Sequence, residues 1–411
     1  MSRATAAYTK RVSAARAGLW PEKRPLLEFL DIELTERCNN DCVHCSINRP
    51  AADHEAARRE MGTARVVGIL EEAASLGCLT VRFTGGEPLL REDFGLIYLA
   101  ARRLGLKVLL FTNATLITRR LAALFARVPP LERIEVSVYG MTRQTYEAAT
   151  RNPGSYAALR RGLELLDQCG VRYAVKGAVL PTNRHEMGEF DAWASSLTGM
   201  DGPPSYVTVF DLRSRRDAEK NGLIRRLRLS PREIVRLQAR WGEAFSRDML
   251  RICGSFSRAE GARLFSCISG GGKASVDAYG FFQHCLLLRH PDTVCDLAEG
   301  GLRRALTEFL PRLRRLEARN AEYLARCGRC FLKGFCEQCP ARSWSEHGTL
   351  DTPVDYLCEI AHVQAVAIGV LGEGEKAWEV ADGERRAARL AREQGAGQAG
   401  PRRAERQGDK A

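Results

Sequence analysis

Residues 30–45 read LDIELTERCNNDCVHC. A strand-like run, EFLDIEL (28–34), gives way to a polar loop that holds Cys38, Cys42 and Cys45 within eight residues. A disulfide uses two sulfurs and a structural zinc site uses four ligands. Three thiols leave one position of a bound metal centre open. On this octapeptide alone, a zinc or redox cysteine cluster competes with an iron–sulfur site. In barrels and open α/β sheets, the loop that leaves the carboxyl end of a strand carries the chemistry.

Downstream, strand-like and helix-like segments alternate. A helix over 64–77 stopped by Gly77 precedes LTVRF (79–83), and a helix near 93–104 precedes KVLLF (107–111). A helix near 118–127 leads to RIEVSV (133–138), one near 155–169 to RYAVKGAVL (172–180), and one near 184–198 to SYVTVF (205–210). The strands read as apolar on both faces, as in parallel sheets covered by helices. Six such units fit a short α/β barrel or an open doubly wound sheet.

The 411-residue chain carries a formal charge of +12, which the many arginines on solvated helix faces account for. No basic and aromatic interleaving points to nucleic acid. No stretch of 18 apolar residues reads as a membrane span. The basic N-terminus lacks the apolar core of a secretory signal, so a cytoplasmic protein is expected. Fourteen cysteines are many for such a chain. In a reducing compartment, clustered cysteines point to metal or catalysis. Ten fall into two groups; Cys78, Cys169, Cys253 and Cys295 stand apart.

TGGEP (84–88) follows the second strand. Gly85 and Gly86 permit close backbone approach to a ligand, and Glu87 offers an acceptor for an ammonium group. The pair of motifs, with a complete C-x3-C-x2-C signature, resembles the radical S-adenosylmethionine (radical SAM) superfamily over residues 28–210. The resemblance implies a partial (β/α)6 TIM-like barrel and a 4Fe–4S cluster on Cys38, Cys42 and Cys45, whose open iron is chelated by SAM. Reductive cleavage of SAM would give methionine and a 5′-deoxyadenosyl radical that abstracts hydrogen from a substrate. His44 takes the place of an aromatic residue beside the adenine. Thr112 and Asn113 match a Thr–Asn–Gly near the ribose, with Ala114 in place of the glycine. Ser137 matches a serine near the SAM carboxylate, although Tyr139–Gly140 replaces the usual Asp–Gly. Lys176 and Arg151 compete to neutralise that carboxylate.

The second group comprises Cys267, Cys285, Cys327, Cys330, Cys336, Cys339 and Cys358. It resembles the SPASM domain, a C-terminal extension that carries auxiliary iron–sulfur clusters. One spacing departs, with two residues where the pattern has three between Cys336 and Cys339. The resemblance implies two auxiliary 4Fe–4S clusters: an outer one on Cys327, Cys330, Cys336 and Cys358, and an inner one on Cys267, Cys285 and Cys339. Cys253, Cys295 or the substrate would complete the inner set. A zinc ribbon wants a longer gap between its cysteine pairs than the five residues after Cys330. Asp277 and Gly280 read as hairpin-turn residues. The expected layout is an N-terminal extension (1–27), a radical SAM core (28–210), a helical bridge (211–266), the cysteine-rich domain (267–362) and a charged tail (363–411). The cysteine-rich region shows little regular pattern, and metal is expected to hold it together.

The resemblance implies an enzyme that modifies a ribosomally made peptide or protein. A radical SAM oxidase or decarboxylase of a tetrapyrrole or other small molecule is the alternative; a non-catalytic iron–sulfur electron-transfer protein is a third reading. A flavodoxin or ferredoxin would supply electrons. Only about 27 residues precede the first strand, so leader recognition is expected from a separate leader-peptide-binding protein or from the barrel rim.

Overall fold

The computed structural model describes residues 26–241, 261–265 and 272–396. The expected N-terminal extension, most of the second half of the helical bridge, Cys253, Cys267 and the end of the tail therefore lie outside the described residues.

Six strands follow in order: β1 (Phe29–Thr35), β2 (Thr80–Gly85), β3 (Lys107–Thr112), β4 (Leu131–Ser137), β5 (Ala174–Ala178) and β6 (Ser205–Val207). Each pairs in parallel with its predecessor. Between them run α1 (Thr63–Ser75), α2 (Phe94–Arg103), α3 (Arg119–Arg127), α4 (Arg143–Thr150), α5 (Ser155–Gln168) and α6 (Met187–Ser196). This is the partial barrel that the alternation and the resemblance anticipated. Every second strand residue, Leu30, Ile32, Leu34, Val81, Phe83, Val108, Leu110, Ile134 and Val136, is fully buried. Each such side chain contributes about 1.5–3 kcal/mol on leaving water.

The opposite phase corrects the expectation of two apolar faces. It carries Asp31, Glu33, Arg82, Phe111, Glu135 and Lys176. Arg82 pairs with Asp31 at 2.5 Å and lies 4.8 Å from the Phe111 ring centre, while Lys176 pairs with Glu135 at 3.2 Å. The sheet's inner face is thus built from paired charges.

The hairpin read from the sequence forms as β7 (Lys273–Val276) and β8 (Phe281–Gln283). It joins the barrel sheet: β7 lies parallel to β1, β8 antiparallel to β7, and β9 (Val294–Asp296) beyond it. Asp277 accepts from the Tyr279 and Phe281 amides, and Gly280 takes φ +92°, as a turn requires.

Two compact units result. The first contains residues 267–316 and 340–348 besides the barrel, so the cysteine-rich stretch is not one unit. The second comprises 230–266, 317–339 and 349–411. Its helices include α8 (Pro231–Gln238), α10 (Asp355–Ala367) and α11 (Gly383–Ala396); α7 (Ala218–Leu227) and α9 (Pro340–His347) belong to the first unit. Helix α10 runs through the boundary expected at residue 362. The second unit also has an apolar core that the sequence reading did not foresee, made of Leu332, Phe335, Ala361, Ala365, Ile368, Val370, Leu371 and Ala377. Among the described residues, no helix is long and apolar enough to cross a membrane.

Candidate active site

Strand β1 delivers the cysteine loop, and backbone contacts hold it. Asp41 and Val43 amides donate to the Thr150 and Ala149 carbonyls at the end of α4, both at 2.9 Å. The Asn40 amide points at the Cys38 sulfur and the Asn48 amide at that of Cys45, both at 3.4 Å. Asn152 donates to the Asn39 carbonyl and the Asn40 side chain, each at 2.9 Å. These asparagines went unremarked in the sequence, although the CNNDC spacing places two of them between ligand candidates.

Two of the thiols, Cys38 and Cys42, resist ionisation as they stand. Burial, then the Glu87 carboxylate, pushes the Cys38 thiol up to about 12. Burial and the neighbouring Cys45 and Cys38 raise Cys42 well above its ordinary value. Cys38 and Cys42 disfavour their own thiolates, and a cationic centre at the loop would offset that, since ligating thiols must lose protons. Among the described residues, no three His, Cys, Asp or Glu side chains converge on a point able to hold a single metal ion. The donor set fits a larger iron–sulfur centre.

The second motif packs against this loop. A Cβ on Gly85 would meet the Thr35 carbonyl oxygen at 2.0 Å, and one on Gly86 that of Arg37 at 2.1 Å. Gly85 also sits at φ +129°. The glycines thus allow the chain to press on the backbone leading into Cys38, and the Gly86 amide donates to the Thr35 carbonyl at 2.7 Å. Glu87 is fully buried. It accepts from the Leu89 amide at 3.0 Å, the Thr112 hydroxyl at 2.8 Å and the Asn113 amide at 2.7 Å. Burial lifts its carboxyl to about 7 against these donors. TGGEP and FTNAT form one hydrogen-bonded unit, which Asn113 extends to the Asn39 side chain at 3.0 Å. Ala114, where the resemblance has glycine, takes φ +57°. That left-handed geometry is the one glycine adopts without strain.

The remaining candidates fall into two places. His44 packs edge-on against Tyr139 at 4.6 Å and near Phe210 at 5.3 Å. Burial lowers its pKa to about 4, so it is neutral, and its buried Nδ1 has no hydrogen-bond partner among the described residues. Ser137 hydrogen-bonds to Tyr139 and lies beside Lys176 in the β4–β5 register. Lys176 faces inward over Phe111, and burial lowers its pKa to about 7. Arg151 instead caps α4 in a left-handed conformation and sits 3.4 Å from Asp41, with half its side chain exposed. It borders a cavity of about 760 Å³ with Cys38, Arg213 and Lys220.

In the second unit, Cys327, Cys330, Cys336 and Cys358 line one cavity of about 60 Å³. Burial, and after it neighbouring thiols among other groups, raises Cys327 to about 11 and Cys330 to about 12. Four thiols on one cavity fit a fully ligated cluster. Of the expected inner set, Cys285 belongs to the first unit and Cys339 to the second.

The family model of the radical SAM superfamily matches residues 32–194. The AdoMet-dependent heme synthase of Methanosarcina barkeri is 26% identical over 352 residues, which is 80% of this chain and 93% of that relative. The solved structure of native anSMEcpe with bound AdoMet superposes with a TM-score of 0.58 at 13% identity, covering 89% of this chain and 99% of that one. Streptococcus suis SuiB bound to its precursor peptide SuiA gives 0.58 at 15% identity, covering 81% of this chain and 76% of that one. Both structures share the fold. The segment that matches the radical SAM superfamily holds the cysteine loop and the hydrogen-bonded unit that braces it.

Proposed function

We propose that this radical SAM enzyme modifies a peptide or protein. Bound together, the first cluster and SAM supply one electron and a scissile sulfur–carbon bond, giving methionine and a 5′-deoxyadenosyl radical. Cys38, Cys42 and Cys45 would hold that cluster. Gly85, Gly86 and Glu87 set the loop's position, and Thr112 and Asn113 carry that order to the end of β3. His44, Ser137 and Lys176 stand ready for the adenosyl and carboxylate ends of SAM. Arg151 is the more remote candidate for the carboxylate, because it faces Asp41 and solvent.

The observation that carries the substrate class is the inner face. Arg82, Glu135 and Lys176 are each 21–24% exposed there, and cations and carboxylates are already paired. Such a surface suits the mixed polar groups of a peptide better than a flat apolar macrocycle, which favours apolar walls. The long alignment with the heme synthase favours a second reading, oxidation or decarboxylation of a tetrapyrrole. The two separate in one assay. Released 5′-deoxyadenosine is measured with SAM and dithionite in the presence of candidate peptides or of an iron porphyrin bearing propionates. Peptide-dependent stimulation with a mass change in the peptide supports the first reading; stimulation by the porphyrin alone overturns it.

Two auxiliary 4Fe–4S clusters complete the proposal, the outer one on Cys327, Cys330, Cys336 and Cys358. Cys267, Cys285 and Cys339 would contribute to the inner one. A flavodoxin or ferredoxin would supply electrons in the cytoplasm, and a separate protein would present the peptide leader.

A further inference from the structure

The four cysteines of the outer site differ in what surrounds their sulfurs. Cys330 and Cys336 receive backbone amides, from Leu332 and Gln338. Cys358 receives side chains. It sits in the first turn of α10, four residues before His362. The His362 Nδ1 lies 2.8 Å from the Cys358 carbonyl oxygen and 3.6 Å from its sulfur. The Ala377 amide donates to the Nε2 of the same ring at 3.1 Å. Nε2 is therefore the acceptor, so the neutral ring carries its proton on Nδ1. That N–H is shared between the oxygen and the sulfur of Cys358.

Arg326 approaches the same sulfur. Asp355 holds its guanidinium at 2.8 Å and Glu322 at 2.5 Å, and it lies 5.0 Å over the Trp378 ring. The guanidinium hydrogen-bonds to Cys358, while its buried Nε has no hydrogen-bond partner among the described residues. Trp378 also meets the His362 ring edge-on at 5.3 Å. One tryptophan thus positions both donors.

We propose that Arg326 and His362 tune the reduction potential of the iron–sulfur centre at Cys327, Cys330, Cys336 and Cys358 by donating hydrogen bonds to the Cys358 sulfur. The proposal rests on the outer-cluster assignment above. A centre held by four thiolates gains one further negative charge on reduction. Hydrogen bonds and positive charge at its sulfurs stabilise the reduced state more than the oxidised one, and the potential rises. Backbone donors cannot be removed by substitution, but these two can.

The test uses the full-length reconstituted protein, titrated with dithionite and followed by EPR. Arg326→Met keeps the stem, and His362→Phe keeps a ring against Trp378. Each should leave the iron content unchanged and lower the midpoint potential of one cluster signal. The double variant should lower it further, and Arg326→Lys should recover part of the shift through its charge. Unchanged potentials at full iron content would overturn the tuning role. So would a shift shared by all signals, or loss of iron in both single variants. Cys358→Ala tests the underlying assignment separately: it should lose about 4 irons, and full iron content there would remove the centre itself from this site.

Discussion

The two cysteine sites are built on opposite plans. The loop of Cys38, Cys42 and Cys45 leaves a barrel strand and is fastened by main-chain bonds to α4, by Asn152 and by the Gly85–Gly86 backbone. Its geometry stands on a sheet whose outer phase is buried throughout. The cavity of Cys327, Cys330, Cys336 and Cys358 draws on short helices, turns and an apolar core of eight mostly small or branched residues. Thiols in the first site are positioned by the fold. A cluster bound at the second, as proposed, would add its binding energy to that of the apolar core.

The largest effect that separates the two concerns activity. Cys42→Ala should abolish SAM cleavage and lose about 4 irons, while far-UV circular dichroism stays that of the parent. Residual cleavage above a thousandth of the parent rate would break the assignment of the first site. Cys336→Ala should instead reduce soluble protein and abolish protection in residues 327–339 and 349–358, with the barrel intact.

Next in size is the backbone seat of the loop. Gly86→Ala places a methyl 2.1 Å from the Arg37 carbonyl oxygen. Relief requires moving the backbone that leads into Cys38, so a loss of about 2–4 kcal/mol is expected in denaturant titration. A change below about 0.5 kcal/mol would mean that the loop yields easily and is not held by this contact. Thr112→Val is milder. It removes one donor to the buried Glu87 carboxylate, and a destabilisation of about 1–2 kcal/mol should follow.

A pH-dependent effect lies on the inner face. The Lys176 amine titrates near 7 in the fold against an ordinary 10.5. Between those values the unfolded chain holds more protons than the folded one, so stability rises with pH across that window. The slope is at most about 1.4 kcal/mol per pH unit. Lys176→Met should flatten it and raise stability at pH 7. An unaltered pH profile would show that the amine is solvated and ordinary.

The barrel was legible because its periodicity is strong: every strand from EFLDIEL to SYVTVF lies within a few residues of its place. The charged inner face escaped notice because Asp31, Arg82, Glu135 and Lys176 come one or two to a strand, and pairing appears only once the strands are adjacent. Helix α4 was missed since RQTYEAAT is short and polar; its Thr142 capping box was the available signal. The core around Leu332 draws on residues spread from 332 to 377, with cysteines and glycines between, and carries no single period. In the site, thiol spacing named the ligand candidates. TGGEP named Glu87 as an acceptor for an ammonium group; its role as the knot between two motifs depends on contacts 25 residues apart.

Hydrogen exchange on the iron-free and reconstituted protein tests the contrast most directly. The account predicts slow exchange at the Asp41 and Val43 amides and in β1 and β2 in both forms, and slow exchange within 327–339 and 349–358 only when iron is bound. Equal protection of those two stretches with and without iron, or a cysteine loop at 38–45 that orders only on reconstitution, would contradict it.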